Sequence, residues 1–91
     1  MGAISSVQKM VDALRKVFDE KPIDYPKAKI PDKRVSRWYD SIGLFTGEVD
    51  GIYTEVHLLL AFDKRSYALL VDGDLRSVFH PRDIKKQIKS M

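Results

Sequence analysis

The chain contains no cysteine. Disulfides, zinc–thiolate sites and a cysteine nucleophile are therefore excluded, and a reducing intracellular compartment, nuclear or cytoplasmic, is the expected setting. Long hydrophobic runs are missing too. The longest, 56–62, is far shorter than a membrane span and has His57 inside it. The N-terminus lacks the apolar stretch of a secretory signal. Only two histidines occur, His57 and His80, far apart and without a metal-ligand pattern. No Gly-rich phosphate loop is present. Neither Asp-Gly pair completes a calcium loop: a bidentate glutamate is needed where His57 follows Gly51 and Phe79 follows Gly73. No metal, no cofactor and no catalysis are expected. Charge of one sign is not in strong excess either. Sixteen Lys and Arg against 13 Asp and Glu give a net +3, which permits contact with nucleic acid or acidic lipid without demanding it.

What is present is a globular composition, 44% hydrophobic and 32% charged in 91 residues. That is one small domain, whose single core is marginal and gains from a bound partner or a larger assembly. An amphipathic helix is predicted over 5–20. Val7, Met10, Val11, Leu14, Val17 and Phe18 recur at the spacing of one apolar stripe. Ser5 with Gln8 forms a capping-box pattern, and Pro22 sets the end. The stripe serves either the chain's own core or docking on a protein partner through Val7, Met10, Val11, Leu14 and Phe18. Lys9, Asp12, Arg15 and Lys16 stand on the polar face. Met1-Gly2 with Ser6 fits the N-myristoylation pattern. Membrane contact is not expected unless Gly2 is acylated.

Three of the four prolines, Pro22, Pro26 and Pro31, fall within 21–33. They exclude helix and predict an extended tether before a body at 34–91.

That body has two readings. As strands, 35–38 is the first, 44–49 and 52–55 flank Asp50-Gly51, and 56–62 is buried. Segments 67–71 and 75–79 then pair across Asp72-Gly73, a strong hairpin signal. A single turn over 80–84 precedes a final strand or helix at 85–89. Such an order predicts a mainly β fold, a small SH3-like barrel behind one helix, burying Val35, Val49, Leu58, Leu60, Leu69, Val71 and Val78.

Val35 to Trp38, then Phe45, Gly47 and Val49, then Leu60-Ala61-Phe62-Asp63, Val78 and Asp83-Ile84, together resemble the Tudor domains of chromatin readers. The resemblance implies an aromatic cage of Trp38, Phe45, Phe62 and Tyr67 that holds a methylated lysine by cation–π contact.

As helices, the stretch 42–53 is similar to the loop of the peptidoglycan-binding three-helix module. Asp32 then caps a helix carrying Val35, Tyr39 and Ile42, Thr54 caps a second through Phe62, and a third follows Asp72-Gly73. This alternative implies an all-α module that binds cell wall.

A cationic cluster closes the chain: Arg76, Arg82, Lys85, Lys86 and Lys89, opposed by Asp83. These residues are candidates for neutralising phosphates. The functional expectation is a non-catalytic binding module, Tudor-like, that recognises a modified peptide or nucleic acid in a nucleoprotein assembly. The alternatives are an accessory subunit of a larger complex and the cell-wall module.

Overall fold

Two Asp-Gly pairs set the strand register. Asp50 and Gly51 have φ of 52° and 80°, and Asp72 and Gly73 have 48° and 87°. Two successive residues at positive φ are what a type I′ turn requires, and its twist matches that of the antiparallel strands it joins. The computed structural model describes residues 2–21, 30, 32–63, 66–78 and 80–91, with side chains from residue 6 onward. Helix α1 is Gly2–Arg15 and is followed by the short strand β1, Asp19–Lys21. A helical turn α2, Lys33–Ser36, leads into β2, Tyr39–Val49, and β3, Ile52–Ala61. Strands β4, Tyr67–Val71, and β5, Asp74–Val78, precede helix α3, Asp83–Lys89.

The described strands make one five-stranded antiparallel sheet in the order β1-β2-β3-β4-β5. The chain is mainly β, as the strand reading expects. The sheet is open, with β1 and β5 as its edges, rather than closed into a barrel by the described pairings. Helices take the place of closure. Met10, Val11, Leu14 and Phe18 of the N-terminal segment and Ile84 of α3 pack on one face, against Phe45, Val56, Leu58, Tyr67, Leu69, Val71 and Val78. On the other face Val35 packs with Leu59, Ala68 and Leu70, joined by Ile30 and Tyr39. β4 is buried along its whole length because both layers cover it.

Three expectations need correction. The all-α alternative fails at its second helix: Ile52–Ala61 is a strand paired on both sides. Its leucines are good helix formers, but pairing with β2 and β4 overrides that propensity. The segment 35–38 is not the first strand. Asp32 caps α2 there, its Oδ1 accepting from Arg34 N at 2.8 Å. The N-terminal helix ends at Arg15, not at residue 20, because Asp19–Lys21 pairs with the β2 residues Leu44 to Thr46. Arg15 then bonds Glu20 (Nε to Oε1, 2.8 Å), which ties the helix end to the edge strand. Of the two readings of the α1 stripe, the own-core one matches the packing: Met10 and Leu14 are fully buried against the chain's own sheet. Most of the expected tether, 22–29 and Pro31, lies outside the described residues.

Candidate functional site

The cationic cluster predicted at the C-terminus divides in three dimensions. Arg76 is engaged, its Nη1 bonding Ser90 Oγ at 2.8 Å and its Nε facing Asp74 Oδ2 at 3.3 Å. Lys86 and Lys89 are exposed on α3 and do not line the groove between α1 and α3. Arg82 and Lys85 do. They stand on one wall of a groove of about 800 Å³ between α1 and α3.

The opposite wall is α1 and the turn after it. Ser6, Lys9, Asp12, Ala13 and Lys16 follow the i, i+3, i+4, i+7 spacing, so one strip of the helix faces the groove. Ala13 and Ile84 are buried and form an apolar floor. Lys9, Lys16, Arg82 and Lys85 are exposed at its rim. Among the described residues none of these four is held in an ion pair. Asp12 is the one carboxylate among the described lining residues, and it already accepts from Gln8 Nε2 at 2.8 Å and faces Arg15 Nη1 at 3.7 Å. Two hydrogen bonds close the turn that opens α3: His80 N–H donates to Asp83 Oδ2 at 3.0 Å, and Asp83 N–H returns to His80 O at 2.8 Å. Unneutralised cations over an apolar floor attract an anionic ligand with some planar or apolar character.

The four aromatics of the expected cage do not meet. Phe45 is fully buried beneath α1, and Tyr67 is buried in the same cluster. Trp38 and Phe62 are brought together elsewhere. They are 64% and 53% exposed, and Phe62 N–H donates to Trp38 O at 3.0 Å, one rung beyond the Tyr39–Ala61 pair. Lys33, Arg34 and Arg37 lie exposed just before Trp38.

A buried polar pair, Ser41 and His57, sits on the α2 side of the sheet, with 3.0 Å between Oγ and Nδ1. A serine beside a histidine is half of a nucleophile–base arrangement. Both are buried, with Leu44 and Leu70 as the cross-strand neighbours of His57, and among the described residues no third group orients the ring. The pair is better accounted for by hydrogen-bond satisfaction inside the sheet. Among the described residues no cluster of three or more His, Asp or Glu is placed to hold a metal, and no helix is long and apolar enough to cross a membrane.

Sequence reasoning found Arg82 and Lys85 but treated Lys9 and Lys16 as an ordinary polar helix face. Their spacing of seven was the available signal; that this face meets α3 was not. Compared with protein-family models, with curated proteins and with solved structures, the chain matches none.

Proposed function

We propose that this chain is a non-catalytic nucleic-acid-binding module that works within a nucleoprotein assembly. The observation that carries this reading is the groove in which Lys9, Lys16, Arg82 and Lys85 converge, with Asp12 the one carboxylate among the described lining residues. Scattered surface cations are ordinary. Four brought into one groove by the two ends of the chain, none held in an ion pair among the described residues, create a local potential that favours a polyanion. Each phosphate held there releases condensed counterions. Four such contacts give log K a slope of about −3 to −4 against log salt concentration.

The expectation of a Tudor-like module had two branches, a modified peptide or nucleic acid. A methyl-lysine cage needs several aromatic faces around one cation, and Phe45 and Tyr67 are committed to the core. The nucleic-acid branch is the better supported.

Fluorescence anisotropy with labelled single-stranded and duplex oligonucleotides tests this. Arg82→Glu with Lys85→Glu is expected to weaken binding about tenfold or more and to flatten the salt slope by about half. Lys86→Glu with Lys89→Glu, off the groove, is expected to do much less. Equal losses in the two double variants would remove the groove as the site. Absence of binding to either oligonucleotide at low salt would remove the function.

A further inference from the structure

We infer that the nucleic acid bound is single-stranded, with its bases stacked on Trp38 and Phe62 while its phosphates follow the groove between α1 and α3; this rests on the nucleic-acid reading above. Exposed large aromatics that lie singly on a surface need no explanation. These two are paired. Phe62 N–H donates to Trp38 O at 3.0 Å, so the residues stand directly opposite each other at the end of the β2–β3 ladder. Side chains in that relation start about 5 Å apart at Cβ, near enough for two exposed rings to present neighbouring apolar faces. Every base has a π-face, so such a surface accepts bases with little regard to sequence.

The surroundings fit a strand of alternating base and phosphate. Lys33, Arg34 and Arg37 precede Trp38 and are exposed. The register also places the platform and the groove at one end of the sheet. Val78 pairs with Tyr67, and Tyr67 pairs with Leu60, two residues before Phe62. β5 therefore leaves the sheet at the Trp38–Phe62 end. The chain then enters the 80–82 segment that opens the groove wall. A duplex presents phosphates to the groove but keeps its bases stacked away from the two rings. Only a single strand satisfies both.

Trp38 is the only tryptophan, so its fluorescence reports on the platform without ambiguity. The full chain is titrated with an oligothymidylate of about 20 nucleotides and with a duplex of equal length, long enough to span both features. Binding of the single strand is expected to quench Trp38. Trp38→Ala and Phe62→Ala are each expected to weaken single-strand binding about tenfold and to leave duplex binding within a factor of about two. Thermal melts check that both variants remain folded. Tyr53→Ala is the control, since Tyr53 is as exposed but sits at the opposite, hairpin end, paired with Glu48. If single strand and duplex bind alike and the two variants behave as the parent, stacking is overturned while the nucleic-acid reading survives. If neither nucleic acid binds, both fall. Quenching by a methylated-lysine peptide but not by oligothymidylate also overturns the inference.

Discussion

The Oγ of Ser41 and the Nδ1 of His57 lie 3.0 Å apart inside the sheet, joined across a β-bulge. Ser41 faces Leu59 and Gly43 faces Leu58, so Ile42 is the extra residue. The bulge leaves polar groups to be satisfied, and the imidazole is the partner the hydroxyl finds. Which group donates depends on the ring tautomer. A neutral ring suits the site. Burial pushes the His57 pKa below its ordinary 6.5, and the carboxylate of Glu55 only partly opposes this.

A pH dependence follows, with a definite sign. The folded state binds the His57 proton less readily than the unfolded chain does. The stabilisation is therefore fully present above pH 6.5 and is lost as pH falls from there through the depressed folded value. Chemical denaturation midpoints measured from neutral pH downward are expected to fall over that range. In His57→Gln, which keeps a hydrogen-bonding group but does not titrate, that part of the slope is expected to vanish. An unchanged slope would mean that other groups carry it.

The two hairpin turns are alike in backbone and unlike in anchoring. Among the described residues the Asp50 side chain has no bond to a neighbouring strand. Asp72 reaches β3, its Oδ1 accepting from Glu55 N at 3.0 Å and its N–H donating to Glu55 O at 3.0 Å. Alanine at either position meets the same penalty of positive φ, roughly 1–2 kcal/mol. Asp72→Ala also loses the side-chain bond and is expected to cost about 1 kcal/mol more than Asp50→Ala in urea denaturation. Asp72→Asn, which keeps an acceptor and tolerates positive φ, is expected to recover most of the difference.

Gly47 and Phe18 make a tighter contact than either residue type suggests. A Cβ built on Gly47 would stand 2.8 Å from Phe18 Cδ1 and 3.6 Å from its Cα. The ring cannot swing away freely, because Phe18 is buried in the core. Gly47→Ala is expected to cost about 1–3 kcal/mol by overpacking. In Phe18→Leu, where the contact is relieved, the same substitution is expected to cost measurably less, so the double-mutant cycle is non-additive. An additive cycle would place the cost of Gly47→Ala in the backbone of β2 instead.

How much of this was legible in the sequence differs by feature. The hairpins were, because Asp-Gly carries its backbone preference locally. So was the stripe of α1. The choice between helix and strand at 35–38 was not, since four residues hold too little periodicity and the decision fell to the cap at Asp32. Which aromatics stay outside was not legible either. A reading of strict alternation along β2 cannot see the bulge at Ile42, which changes the phase halfway. The groove was half legible, because Lys9 and Lys16 meet Arg82 and Lys85 only through packing of the two ends of the chain.

That packing makes α1 part of the domain rather than an appendage, and two residues of its own stripe test this. Leu14 is fully buried in the shared core, whereas Val17, which the spacing placed on the same stripe, is 51% exposed beyond the helix end. Phe18 N–H donates to Leu14 O at 2.8 Å, so the chain turns there toward β1 and carries Val17 outward. Leu14→Ala is expected to cost about 2–5 kcal/mol, a large part of the stability of so small a domain. Val17→Ala is expected to stay within about 0.5 kcal/mol. The decisive readout is the signal of the sheet, followed by far-ultraviolet circular dichroism and by Trp38 fluorescence during thermal unfolding. If α1 belongs to the core, Leu14→Ala lowers both transitions together. A loss of helical signal that left the Trp38 transition unmoved would instead show the sheet folding without its helix.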